Sequence, residues 1–400
     1  MTNENNSAPL AGIRMLDLGR YQAGPRCALM FARMGAEVIK VEALNGDESR
    51  ENGPRVRGQS AYWVQYNSGK KSLAIDLRTE KGKEVLTRLV KKSDIFLQNF
   101  RPGTIDIMGF GYDVLKELNP KIIMINASAY GQYGPHRDKV GFDPIGQAMG
   151  GMMSLTGLKG DPPIKTYFPL IDRITSLHAT IGALAALWER EISGEGQAID
   201  VSLADTGFTV NEIPLTAYLG NGYVTERATS YGGAENPLGG MYETSDGYVI
   251  IAAGNNNIFQ RMCDAIDKPE WKTDERFLTR TSRAENGEDI NSVLSGWFLE
   301  RKMKEVVDYL QGVAVLRGEN LTSAYRVSRQ NEAVLIDIGD SDWHYAEVTS
   351  EGWSLKPSKK PRFWRSEHTR PLPLPQKNGD PGLLKKYLNI DSDEQLNLVL

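Results

Sequence analysis

Between residues 13 and 131, short runs of apolar β-formers alternate with stretches of helical periodicity. This alternation constrains the fold more than any other feature of the chain. IRMLDL (13–18) reads as a strand. GPRCALMFARMG (24–35) reads as a helix entered through Gly24-Pro25 and closed by Gly35, and AEVIKVE (36–42) as the next strand. That is a βαβ unit of about thirty residues. SLAIDL (72–77), IFLQNF (95–100) and KIIMINASAYG (121–131) continue the strands. TEKGKEVLTRLVKKSD (79–94) and YDVLKEL (112–118) supply the helices between them. Strands alternating with helices imply a parallel sheet covered on both faces, an α/β fold.

PLIDRITSLHATIGALAALWERE (169–191) reads as a long amphipathic helix, with Ile174, Leu177, Ile181, Leu184 and Trp188 at helical spacing. Asp172 stands at its start. Taken alone, that carboxylate reads as a helix N-cap. GEGQAIDVSLADTGFTVNEIPLTAYL follows as a strand and a helix, and the glycine-rich stretch near 220–235 marks a boundary. Beyond it, MYETSDGYVIIAAG reads as a hairpin around Ser245-Asp246-Gly247, followed by helices to about residue 311. The expected organisation is a large α/β domain over 1–220, a smaller α/β domain over 221–330, and a C-terminal segment over 331–400. After residue 355 the chain, rich in Pro, Lys and Arg, is read as extended, with a short helix near GLLKKYL.

Bulk properties exclude several classes. With a formal charge of −4 over 400 residues, no nucleic-acid footprint is expected. The two cysteines, Cys27 and Cys263, are too far apart in sequence for a metal knuckle or redox pair and fit a reducing compartment. The polar start MTNENNSAPL lacks the order of a signal peptide, and the apolar run IGALAALW is too short to span a bilayer. A cytoplasmic protein without a membrane partner is expected. His136, His178, His344 and His368 are scattered and suggest no metal set.

The first βαβ turn, LGRYQAGPRC, has no GxGxxG, which argues against a dinucleotide enzyme. Instead, several segments together resemble the family III CoA-transferases, the family of formyl-CoA transferase and carnitine CoA-transferase. They are LAGIRMLDLGRYQAGPRCALMFARMGAEVIKVE (10–42), GKKSLAIDLRTEKGKEVLTRLVKKSDIFLQNFRPG (69–103), ELNPKIIMINASAYGQYGPHRDKVGFDPIGQAMGGMMSLTG (117–157), PLIDRITS and GEGQAIDVSLAD. Their order and spacing carry the resemblance.

The resemblance implies that Asp172 is the catalytic nucleophile, at a helix N-terminus whose dipole favours the charged form. It implies CoA transfer from an acyl-CoA such as succinyl-CoA to a carboxylic acid, by way of an aspartyl anhydride and an aspartyl-CoA thioester. Coenzyme A is then a co-substrate, and no metal or other cofactor is required. Gln22 is placed near the reacting centre. CoA contacts are implied at Ala23, Lys70, Lys71, Ser72, Asn99, Phe100, Arg101, Lys139 and Val140, where cations suit phosphates. Ala43 and Ile107 replace arginines of formyl-CoA transferase, which leaves the adenine end unassigned. Gly239 and Gly240 are the candidates for a glycine-rich lid. The family also contains α-methylacyl-CoA racemase, which carries a histidine base where this chain has Phe142. Asp143, next to it, becomes a candidate for positioning the site. A non-catalytic acyl-CoA-binding subunit of a heteromeric enzyme is a further alternative. The family fold implies that 1–220 is a Rossmann-like CoA-binding domain to which the segment 331–400 returns, in an interlocked ring-like dimer, here a homodimer, or a heteromer with a related subunit.

Overall fold

The computed structural model describes residues 8–227, 238–252 and 254–310, together with strands at 314–318, 334–336, 343–349 and 352–358. Strand β1 (Arg14–Asp17), helix α1 (Ala23–Arg33) and β2 (Glu37–Glu42) form the first βαβ unit. A small hairpin, β3 (Arg55–Val56) with β4 (Gln59–Ser60), leads into α2 (Ala61–Asn67). Then follow β5 (Lys71–Ala74), α3 (Glu80–Val90), β6 (Ile95–Gln98), α4 (Thr104–Ile107), α5 (Tyr112–Leu118) and β7 (Ile123–Ser128). The run ends with α6 (Asp143–Met149), α7 (Met152–Leu155), α8 (Leu170–Ser193), β8 (Ala198–Ser202), α9 (Leu203–Val210) and α10 (Glu212–Asn221). Side-chain caps start several helices. Ser60, Thr79 and Ser202 accept from the backbone N–H groups of Trp63, Gly82 and Asp205.

Six strands form one parallel sheet in the order β5-β2-β1-β6-β7-β8. Its four central strands are short apolar runs buried on both faces, as a sheet sandwiched between helices requires, while the edge strand β8 is largely exposed or half-buried. Alternate residues feed two cores. Leu16, Ile39, Leu73, Phe96 and Met124 pack with α3 and α5 residues on one side. Met15, Val38, Ile95, Leu97 and Ile125 pack with α1 and α8 on the other. Counted along the chain the order is 3-2-1-4-5-6, so the winding reverses between β1 and β6 and opens a crevice at their carboxyl ends.

Helix α8 covers the 169–191 run as the sequence suggests, but the bulky stripe is not its core face. Leu177, Ile181 and Trp188 are exposed, whereas Ala179, Ala183, Ala186 and Thr180 are buried. Small residues let α8 lie close to α1, and the large ones face outward. The helix is also far longer than the run IGALAALW. At 24 residues it is long and apolar enough to cross a membrane by length and composition, but here one face packs into the large domain's core. Helices α6 and α9 cross backbone on backbone. A Cβ on Gly150 would lie 2.3 Å from the carbonyl carbon of Gly207, and one on Gly207 only 2.4 Å from the Gly146 oxygen.

The second unit contains β9 (Gly239–Thr244), β10 (Gly247–Ala252), α11 (Asn256–Ala265), α12 (Arg280–Glu285), α13 (Gly287–Leu299), α14 (Met303–Tyr309) and β11 (Ala314–Gly318). Its sheet is antiparallel in the order β11-β10-β9, with the hairpin turning at Ser245-Asp246 as the sequence suggests. Val249, Ile251, Phe259, Met262, Leu294 and Phe298 form a separate core. Strands β12 (Val334–Ile336), β13 (Trp343–Thr349) and β14 (Gly352–Ser358) make a third, antiparallel sheet, which the sequence reading did not assign. The helix expected near GLLKKYL and His368 lie outside the described residues.

Candidate active site

A cleft of about 470 Å³ opens in the crevice between β1 and β6. Its walls are the turn after β1 (Arg20–Ala23), the loop after β6 (Asn99, Phe100, Arg101), the end of β7, the stretch Lys139–Phe142, and Asp172 with Thr175 of α8. The β1 turn is anchored by buried charge. Asp17 accepts from the Gly19 N–H at 2.8 Å and from Lys70 Nζ at 2.7 Å. Lys70 also donates to Pro25 O at 2.9 Å and Asn67 Oδ1 at 2.8 Å. Lys40, equally buried, donates to Gly19 O and pairs with Asp47 at 3.2 Å. With both peptide groups of Gly19 held, the chain turns through Tyr21, a non-glycine residue at φ +58°. From above, Asn99 receives the Arg20 N–H at 2.7 Å and donates to the Arg20 carbonyl at 2.8 Å.

That turn delivers Gln22 to the N-cap of α1, buried. Among the described residues its Nε2 makes only a long 3.4 Å contact to Pro169 O, and its Oε1 has no partner. Pro169 is the N-cap of α8, so the sequence reading of Asp172 as the cap is corrected. Asp172 sits inside the first turn and makes no side-chain cap bond. Its backbone N–H instead donates to Asp143 Oδ1 at 3.1 Å. Asp143 Oδ2 accepts from Gln147 Nε2 at 2.5 Å, and Gln147 Oε1 accepts from the Thr166 N–H at 2.9 Å. Burial, and then the nearby Asp143 charge, push its carboxyl up to about 7, against the helix dipole's preference for the charged form. Tyr62 of α2 is held well above the usual phenol range, first by burial and next by Asp172.

Of the residues singled out from sequence, the structure brings Gln22, Ala23, Asn99, Phe100, Arg101, Lys139, Val140 and Asp172 to one cleft, with Asp143 behind Asp172. Arg101 and Lys139 have no carboxylate partner among the described residues and could hold phosphates. Asn99 lines the wall, but its amide is spent on Arg20. Lys70, Lys71 and Ser72 do not line the cleft. Lys70 is buried under Asp17, Lys71 pairs with Glu37, and Ser72 donates to Glu42 at 2.7 Å. Gly239 and Gly240 are not loop residues. They open β9, paired with Ala252 and Ile251, and do not line the cleft. Phe142 lines it and meets Tyr21 edge-on at 6.1 Å. His136 stacks edge-on with Tyr130, and His178 contacts Thr206 at 3.3 Å, so neither serves the cleft. No cluster of metal-ligating residues occurs among the described residues. Tyr62 and Gln147 escaped the sequence reading. Gln147 carried one faint signal, its helical i, i+4 spacing from Asp143.

The sequence model of CoA-transferase family III matches residues 10–348. The chain belongs to that family. It is a transferase that uses coenzyme A as co-substrate. It is 36% identical to succinyl-CoA–D-citramalate CoA-transferase of Chloroflexus aurantiacus, covering 86% of each chain. It is 35% identical to the β subunit of succinyl-CoA–L-malate CoA-transferase from the same organism, covering 77% of each. A crystal structure of a CAIB/BAIF family protein from Brucella suis matches with a TM-score of 0.72 at 32% identity, covering 82% of this chain and 89% of that one.

Proposed function

We propose that this family III enzyme moves CoA from succinyl-CoA to a second carboxylic acid through covalent intermediates on Asp172. The observation that carries the reading is the Asp172 carboxyl, set in a cleft at the sheet's crevice and pushed up to about 7. The Asp172 carboxylate attacks the thioester carbonyl, and CoA thiolate leaves, giving the mixed anhydride. The thiolate then attacks the aspartyl carbonyl and releases the donor acid. The acceptor carboxylate attacks the aspartyl thioester, and thiolate attack on the new anhydride yields product and free Asp172. The environment favours the first step. Acylation removes a negative charge that burial and Asp143 disfavour, and a more basic carboxylate is the better nucleophile. Gln22, whose Nε2 makes only a long bond, supplies an N–H to the oxyanion. Arg101 and Lys139 take the phosphates of CoA.

An α-methylacyl-CoA racemase needs a base on each face of the α-carbon. The position that bears histidine in that enzyme is Phe142 here, which favours transfer. The functional unit is a dimer of this chain, with the exposed stripe Leu177, Ile181 and Trp188 of α8 against the second subunit.

The test is interception. Succinyl-CoA without acceptor, followed by hydroxylamine, is expected to convert Asp172 to a hydroxamate, read by peptide mass spectrometry. A mark on another acid, or no mark while transfer proceeds, overturns the assignment.

A further inference from the structure

We propose that Gln147 is a positioning residue for transfer, whose side-chain amide locks the Asp143 carboxylate onto the backbone of the nucleophile. The inference rests on Asp172 being that nucleophile. Gln147 is fully buried on α6 and lines no part of the cleft, so it touches no substrate. It makes two bonds of opposite sense. Its Nε2 donates to Asp143 Oδ2 at 2.5 Å, and its Oε1 accepts from the Thr166 N–H at 2.9 Å. The second bond fixes which way the amide faces, so the N–H side must point at Asp143. Asp143 then has one oxygen on Gln147 and the other on the Asp172 N–H at 3.1 Å. Both oxygens are acceptors, so the carboxyl is held in place from two sides.

The N-cap of α8 is Pro169, which offers no capping side chain. Asp143 therefore caps α8 from another helix, and Gln147 holds that cap in register. The consequence is chemical. A fixed anion beside Asp172 repels its negative charge, and the repulsion vanishes when Asp172 is acylated.

The titratable groups facing the Asp172 carboxyl are Asp143 from α6 and Tyr62 from α2. Of the other charged side chains on helices packed against α8, Arg26 of α1 interacts with Arg173, and Asp205 of α9 accepts from Ser202 Oγ at 2.6 Å.

Two variants test the proposal. Gln147→Met keeps the volume but leaves Asp143 Oδ2 without its bond, so Asp143 is no longer held beside Asp172 and its repulsion of Asp172 is lost. The acid limb of kcat/KM is expected to move down by about one pH unit, with kcat at pH 8 lowered about tenfold and KM for succinyl-CoA within about twofold. Gln147→Glu can donate to Asp143 only while protonated. It is expected to follow the wild type at low pH and to acquire a new alkaline limb. The Asp172 carboxyl is titrated in the resting enzyme by carbon-13 NMR of labelled aspartate, assigned against Asp172→Asn. This readout needs no turnover, so it separates failure of the Gln147 role from failure of the transfer mechanism. If the Asp172 titration and the pH profile stay where they are in both variants, or the Asp172 titration moves up in Gln147→Met, the positioning role is wrong.

Discussion

Replacing the nucleophile should make the protein more stable, and only above a defined pH. The Asp172 carboxyl is raised from 3.8 to about 7 by burial and by Asp143. Below pH 4 it is protonated in both the native and the unfolded chain and costs nothing. Between pH 4 and 7 the unfolded chain releases the proton while the native one retains it. Native stability therefore falls as pH rises through this window, and the full cost is present above 7. A shift of about three units corresponds to about 4 kcal/mol, an upper limit because Asp172 also opens onto the cleft. Asp172→Asn is neutral throughout and makes none of this loss. Urea denaturation at fixed protomer concentration should show the variant more stable than wild type at pH 8, by up to that amount. The difference should shrink to near zero by pH 4, while transfer is lost at every pH. A variant equally or less stable at pH 8, or a difference independent of pH, would refute the reasoning that the carboxylate is held against its preference.

Two further outcomes follow from packing. Gly207→Ala places a methyl where the Gly146 oxygen lies 2.4 Å from the new Cβ, so α6 must move. A loss of about 1–3 kcal/mol is expected in urea melts, with a larger relative loss in kcat than in KM. Lys70→Met removes the partner 2.7 Å from buried Asp17 and leaves Lys40 at 3.9 Å as its nearest cation. About 3–5 kcal/mol should be lost, and a loss below about 1 kcal/mol would show that the ion pair does not anchor the turn.

The parallel sheet was legible because its central strands are buried on both faces and leave near-continuous apolar runs such as IFLQ. The β9–β10 hairpin was legible from Ser245-Asp246-Gly247. What failed to show depends on residues distant in sequence. Lys70 reads as a surface cation in GKKS, yet its acceptor Asp17 is 53 residues away. The core face of α8 was not legible, because periodicity reports which positions share a face, not which face meets the sheet. The close approach of α1 favoured alanine and threonine there. Asp172 was legible as a reactive residue only through resemblance. Its place inside the first turn depends on Pro169 taking the cap. Gln147 enters the site through its bonds to Asp143 and the Thr166 N–H, and Tyr62 through the charge of Asp172, and one sequence without its fold does not contain those relations.

The glycine crossing of α6 over α9 bears on how such an enzyme can change its acids over evolutionary time. Helix α6 carries Asp143 and Gln147, and it rests on α9 with no side chain between the backbones to absorb drift. A single added methyl at Gly150 or Gly207 is transmitted to the bond that holds Asp172. The chemical end of the cleft is therefore closed to gradual exploration. The rim is not. Tyr21 and Phe142 meet edge-on at the mouth, Phe142 and Val140 are exposed, and Lys139 lies on an open stretch. Substitutions there leave the crossing untouched. Diversification toward new carboxylic acids has its accessible paths along that rim, with the nucleophile and its clamp inherited unchanged.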